Sequence, residues 1–451
     1  MRLIFNAILL TSVLLVISCQ KEEAKLYSVS GRVINHLNVG LEGVRVQHSS
    51  SEYVLTDEHG YWTVLDVVNQ TAITPTFSNY TFTPASMEVQ SVASNIVFVG
   101  TPRKTENQDK IYNWFKNQQL TNGLLESAEN GNVVSLYDNA LAAMVFMLKE
   151  DYDEAEGIFN FFNTNIDSEL KNGVGGFSQL RDRNGLPNNH RWIGDNAWLL
   201  IALNNYKERT GKVTYDNLAT EISDWLVSLQ DTNGGLFAGY GADNSLLNYK
   251  VTEGNIDAFN AIAGYTNFHS DLLYFLEKER WDEIDKNLVA WPTNPTYLYA
   301  LDLHPWSYSI FKEYPVSALT TAQRFLTSQT ATNGIQITGY CFDEDKDVVW
   351  LEGTGQMALA YGIAGMQSEK EFYLKEMENN FIQSVTHSNS AGFPYASNSG
   401  THYGNGMLWA GADTEIAISG GAWYLFAKYG FNPFAVSRNK DIPTDKMFWL
   451  N

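Results

Sequence analysis

Six acidic residues stand where carboxylate chemistry can be assembled. Asp138 in SLYDNAL, Asp195 in HRWIGDNAW, Glu253 in VTEGNIDAF, Asp302 in ALDLHPW, Glu352 in VVWLEGTGQ and Asp413 in AGADTE each head a segment that then turns apolar. They succeed one another at about 57, 58, 49, 50 and 61 residues, a spacing that reads as an internal repeat. One acid at a helix start is ordinarily a cap, which satisfies free backbone N–H groups and contributes about 1 kcal/mol. Several acids gathered at one place can do more. Carboxyls in unlike surroundings divide the work of bond hydrolysis, one protonated and donating, the other ionised as base or nucleophile.

The settings of the six differ. Asp138 has small apolar neighbours, and Asp302 stands just before Pro305, so both read as caps or packing. Asp195 follows His190, Arg191 and Trp192 and precedes Trp198. Glu253 and Asp257, four apart, share a helical face. Glu352 follows Trp350, and Gly353 and Gly355 leave room for a ligand near the backbone. Asp413 ends THYGNGMLWAGADTE, where Tyr403 and Trp409 offer rings with an apolar face. The candidate catalytic residues are therefore Asp195, Glu352 and Glu253. Candidate substrate contacts are Asp257, His190, Arg191, Trp192, Trp198, Tyr137, Trp350, Tyr403, Trp409 and Asp413.

The elements that must position these residues are helices. From about 107 onward, twelve helical segments alternate in kind. One set is amphipathic: IYNWFKNQQ, YDEAEGIFNFF, LATEISDWLVSLQ, LLYFLEKERWDEIDKNL, VSALTTAQRFLTSQ and EFYLKEMENNFIQSV. The other, which carries the acids, is apolar nearly all round and rich in Ala and Gly, as a helix enclosed by other helices must be. Six outer helices alternating with six inner ones describe a closed ring whose inner N-termini share one rim. Turns recur too. WFKNQQLTNGLLES, WLVSLQDTNGGLFAGY and FLTSQTATNGIQITGY share a Gln and then Asn-Gly, which predicts a structural stop with positive φ.

With these hairpins, turns and acids, residues 107–432 resemble the six-hairpin glycosidase superfamily. The resemblance implies a mainly α chain: an (α/α)6 toroid behind a small N-terminal β-sandwich. It implies a glycoside hydrolase acting on an oligo- or polysaccharide, with Asp195 and Glu352 facing each other from the second and fifth inner helices. A polysaccharide lyase is the alternative, drawing on Tyr137, Asn139, His190, Arg191, His402 and Tyr403. Sugar epimerases of this fold use paired histidines, here His304 and His402. A third reading is a non-catalytic surface glycan-binding protein.

Before the ring, MRLIFNAILLTSVLLVISC reads as a leader over 1–18 ending in a bacterial lipobox, with Cys19 the lipidated residue. The acidic tether at 19–26 resembles the export signal of Bacteroidetes surface lipoproteins. The expected partners are thus a membrane, reached through the lipid anchor, a carbohydrate, and a glycan-uptake complex. Display on the outer membrane, facing the cell surface, is expected, with a periplasm-facing anchor as the alternative. Residues 27–100 read as strands, and GLEGVRVQ with LTDEHGYWTV resembles the carboxypeptidase-regulatory-like β-sandwich, Asp57 and Gly60 making a turn. The 51 acids against 30 bases, a net charge of −21, argue against a nucleic-acid partner. Cys341 is the one other cysteine, so no disulfide is open to it if Cys19 is acylated. No cofactor is expected. FDEDKDVV reads as a solvated loop, with calcium on its acids the minor reading. The tail, 433–451, offers no legible chemistry.

Overall fold

Alternation of buried and exposed side chains builds the N-terminal strands. The computed structural model describes residues 26–49, 52–68, 70–77, 80–102, 106–294, 297–403 and 406–450, so the leader and Cys19 lie outside the described residues. Along β1 (Leu26–Asn35), Val29 and Val33 turn inward and are fully buried. β4 (Tyr61–Val68), β1, β8 (Ala93–Pro102) and β6 (Tyr80–Thr83) form one sheet in that order. β3 (Tyr53–Leu55), β2 (Arg45–Gln47), β5 (Thr71–Thr76) and β7 (Met87–Val89) form a second. Val33, Val46, Trp62, Ile73 and Phe98 from both sheets share one core. Asp57 turns the chain into β4: its Oδ1 accepts from the amides of His59 and Tyr61, and Gly60 has φ +78°.

The helical region alternates as its periodicity predicts. The outer helices are α1 (Glu106–Gln118), α3 (Tyr152–Thr164), α5 (Asp216–Ser228), α7 (Asn267–Glu279), α9 (Ser317–Thr321) and α11 (Gln367–Glu378). The inner ones are α2 (Leu136–Leu148), α4 (Ile193–Thr210), α6 (Thr252–Ala261), α8 (Leu303–Ile310), α10 (Leu351–Ile363) and α12 (Ile418–Tyr429). Each inner helix packs on the next, and α12 returns to α2 to close the ring.

Two polar devices set the repeat. In the Asn-Gly turns, Gly123, Gly234 and Gly334 adopt φ of +89°, +90° and +84°, a region that glycine enters without steric cost. Asn122, Asn233 and Asn333 each accept the amide two residues on, at 3.1, 3.2 and 3.0 Å. The preceding Gln119 and Gln230 reach outward to the Glu154 and Phe268 carbonyls, tying each turn to the next outer helix. The second device is a buried Asn in the first turn of an inner helix. Asn139, Asn196 and Asn255 each accept from and donate to one backbone residue (Leu125, Phe177 and Leu236), and each also donates to the carbonyl four residues before it. Thr354 does the same work in α10, accepting from the Tyr340 amide and donating to the Trp350 carbonyl.

The fifth outer segment departs from its expected helix. VSALTTAQRFLTSQ is helical only at Ser317–Thr321 before a 3₁₀ turn, and Leu326–Thr330 then pairs with Gln336–Tyr340. Thr327 and Thr330 suit a strand, and the Asn-Gly turn is a hairpin turn once strands flank it. Likewise α7 stops at Glu279, and Trp281–Asp282 pairs back with Asn287–Leu288.

The tail has a structural task that its sequence did not announce. The Asn205 and Asn260 side chains, near the C-terminal ends of α4 and α6, bond the carbonyls of Pro433 and Phe434. The Phe434 ring thereby lies 5.0 Å from Trp198, 6.2 Å from Trp306 and 6.5 Å from Trp423, between centroids. This aromatic cluster fills the centre of the ring and makes its floor. Beyond it, Phe448 and Trp449 pack on Trp281 and Phe311.

Candidate active site

The rim acids come from two registers. Asp138 and Asp195 are third residues of α2 and α4, one before the Asn that anchors each helix. Glu253 and Glu352 are second residues of α6 and α10, and Asp302 immediately precedes α8. The sixth spoke corrects the expectation. α12 begins at Ile418, so Asp413 is in the loop before it, where Thr332 Oγ1 donates to it at 2.5 Å, and it does not line the cavity. Ser419 takes the rim position instead, while Glu415 supplies a carboxyl from the loop. The run of glycine and aromatics before Asp413 concealed where that helix starts.

Above the aromatic floor lies a cavity of about 830 Å³. Asp195, Glu352, Glu253 and Asp257 line it, and so do Asp138 and Asp302, which sequence reasoning had set aside as caps. Their apolar neighbours signal burial inside the ring, which a cap on a surface helix would not show. Of the aromatic candidates, Tyr137, Trp192, Trp198, Trp350, Tyr403 and Trp409 all face the cavity. Trp291, Tyr297, Trp306 and Tyr395 join them without having been singled out. Trp409 lies against Tyr395 at 4.9 Å with the rings tilted by 47°, and the Tyr297 hydroxyl donates to the Tyr403 carbonyl at 3.2 Å.

Tyr137 joins the carboxyls across the ring. Its hydroxyl donates to Glu352 Oε1 at 2.5 Å and accepts from the Trp423 indole at 2.9 Å, while its backbone amide donates to Asp195. Burial is the main influence on both acids and pushes each up to about 7. For Glu352 the donors Tyr137, Ser419 and Gln356 (3.2 Å) oppose that rise, and the charge of Asp138 adds to it. Asp195 is drawn back by Tyr137 and by Gln179 at 3.3 Å. Asp138 is likewise pushed up to about 7 by burial. On the α6–α8 wall, burial holds Asp257 and Asp302 well above the usual carboxylate range, helped by Asp302 and Glu253 for Asp257 and by Glu253 and Glu352 for Asp302, and burial raises Glu253. Asp257 Oδ1, Asp302 Oδ1 and the Trp306 indole nitrogen are buried without a hydrogen-bond partner among the described residues.

The basic candidates stand elsewhere. Arg191 and Trp192 are neighbours on one short strand, and adjacent strand residues point to opposite faces. Trp192 takes the cavity side. Arg191 turns away toward the Asn189 carbonyl and Asn244, and His190 stacks on Trp192 outside the lining. His304, on α8, is buried against the Ala318 carbonyl at 2.8 Å, and His402 sits 3.4 Å from Asp347. Among the described residues, no Lys, Arg or His lines the cavity, against seven carboxyls.

FDEDKDVV is less solvated than expected. Cys341 Sγ, fully buried, lies 3.8, 3.6 and 3.9 Å from carboxylate oxygens of Asp343, Asp345 and Asp347. Burial, with the charges of Asp343 and Asp345 beside it, pushes the thiol up to about 12, so it stays protonated, with one S–H to donate to one of these acids at a time.

No family model and no curated protein matches this chain. Solved structures do. An alpha-amylase from Clostridium perfringens is similar over 73% of this chain and 99% of its own, with a TM-score of 0.53 at 12% identity. A point variant of a glycosidase is similar over 73% and 96%, with TM-score 0.52 and 11% identity. A cellobiose 2-epimerase from Spirochaeta thermophila is similar over 73% and 94%, with TM-score 0.50 and 12% identity. At such identities the shared property is the fold, and the helical region is an (α/α)6 toroid.

Proposed function

We propose that the protein is a glycoside hydrolase acting on neutral oligo- or polysaccharides. The observation that carries the reading is the pair of carboxyls joined through Tyr137, within a cavity lined by rings and acids and by no base. Glu352, held by three donors, is the residue to ionise, acting as base toward water or as nucleophile at the anomeric carbon. Asp195, pushed up to about 7, keeps a proton to give to the leaving glycosidic oxygen. Asp257 and Asp302, whose carboxyls burial holds well above the usual carboxylate range, hydrogen-bond sugar hydroxyls, and the surrounding Trp and Tyr rings stack on the apolar faces of the sugar. The names of two fold neighbours, a glycosidase and an alpha-amylase, accord with hydrolysis. The carboxypeptidase-regulatory-like β region, the lipid anchor at Cys19 and surface display complete the proposal, on the sequence patterns given above.

The test is reducing-end release from a panel of neutral and uronate polysaccharides, with absorbance read near 235 nm (roughly where conjugated uronate products absorb). Reducing ends without absorbance, lost in Glu352→Gln and Asp195→Asn, are the expected result. Absorbance would instead assign a lyase, and binding without turnover of any glycan would assign a binding protein.

A further inference from the structure

A second cavity, about 350 Å³, lies at the opposite end of the ring, between the β region and the C-terminal ends of α4, α10 and α12. Tyr80 reaches across this seam to the Tyr429 carbonyl, and His36 to the Leu148 carbonyl at 3.0 Å. Two cations inside it form no ion pair among the described residues, the charge of Glu371, next in the chain, being the acid that acts on Lys370. Lys370, only 1% exposed, makes no side-chain hydrogen bond or ion pair among the described residues, and its ammonium lies 5.4 Å from the centre of the Phe77 ring. Arg209 stacks its guanidinium 4.7 Å from the centre of the Phe431 ring, and its Nε and Nη1 are buried without a partner. The acids of the lining do not answer them. Glu42 stands 3.8 Å from Arg438, Glu58 stands within 3.9 Å of His59 and Lys312, and Glu208 is exposed.

Part of this charge complements the negative ends of the inner helices, as cations in a last turn do. That accounts for Arg209, in the last turn of α4, but not for Lys370, which belongs to the first turn of the outer helix α11. A buried ammonium and a half-free guanidinium facing one enclosed space are costly unless an anion joins them. Burial already draws the lysine down to about 8 and the arginine to about 10, the penalty that such an anion would relieve. We propose that this seam is a binding site for a small oxyanion, either free or carried on a sugar, gripped by Lys370 and Arg209. Its place is independent of the carboxylate cavity and does not rest on the hydrolase reading.

Thermal melts and calorimetric titrations of the full chain would use sodium phosphate, sodium sulfate and glucose 6-phosphate, each against chloride at equal ionic strength. The expected result is a saturable rise in Tm of several degrees, kept by Glu352→Gln and abolished by both Lys370→Met and Arg209→Met. Lys370→Met should also melt no lower than wild type in chloride, since it removes an unpartnered buried charge. A stronger response to glucose 6-phosphate than to phosphate identifies a sugar-borne group, and equal responses identify the free ion. No response beyond chloride, or an equal response in both variants, overturns the site.

Discussion

Tyr137 holds two acids with two different atoms, and the two can be separated by substitution. Tyr137→Phe keeps the ring, which meets Trp198 edge-on at 5.1 Å, and the backbone amide to Asp195, but removes the donor to Glu352. Because that donor lowers the pKa of Glu352, its loss raises it. The acidic limb of kcat/KM should move to higher pH, with kcat falling about tenfold or more. An unmoved limb would leave Tyr137 a packing role only. Asp138 makes the complementary prediction on stability. It ionises near pH 4 in the unfolded chain but at about 7 when folded. Its contribution is thus fully present below pH 4, declines as pH rises toward 7, and above that has cost on the order of 4 kcal/mol. Asp138→Asn should melt close to wild type at pH 4 and well above it at pH 8. A gain independent of pH would mean that the carboxyl ionises at the same pH in the folded and the unfolded chain.

At the scale of the element, the sequence was most legible where chemistry and geometry coincide. Asn-Gly after a helix demands positive φ, and the three turns have it. Apolar helices interleaved with amphipathic ones permit little besides a ring. The inner-helix Asn residues were visible only as neighbours of the acids. Each makes three buried hydrogen bonds that no local rule predicts, because their partners sit 14 to 19 residues away or in the preceding turn. Asn196→Ala should therefore cost about 2–4 kcal/mol, by leaving the Phe177 amide and carbonyl buried and unpaired. Urea unfolding would show it, and a change below 0.5 kcal/mol would deny the clamp. Where the sequence misled, long-range pairing was the cause. Asp413 headed a helix only on paper, and the strand at Leu326–Thr330 forms because Gln336–Tyr340 is there to pair with it.

For the whole molecule, the tail is the part that sequence left blank and the structure makes necessary. Phe434 is fully buried beneath Trp198 and Trp306, so Phe434→Ala should destabilise by about 3–5 kcal/mol. The same change should loosen the cavity floor and raise KM while Glu352 and Asp195 remain in place. A fall in Tm with unchanged KM would make the tail a strut and nothing more. The same ring of four aromatic side chains also decides how a substrate can travel. With the bore of the toroid stoppered, a sugar chain cannot be threaded through it as through a bead. On the proposed hydrolase reading, what enters must back out by the same door, so each catalytic cycle would end in a reversal, and long polymers are expected to be released between cuts instead of being hauled along.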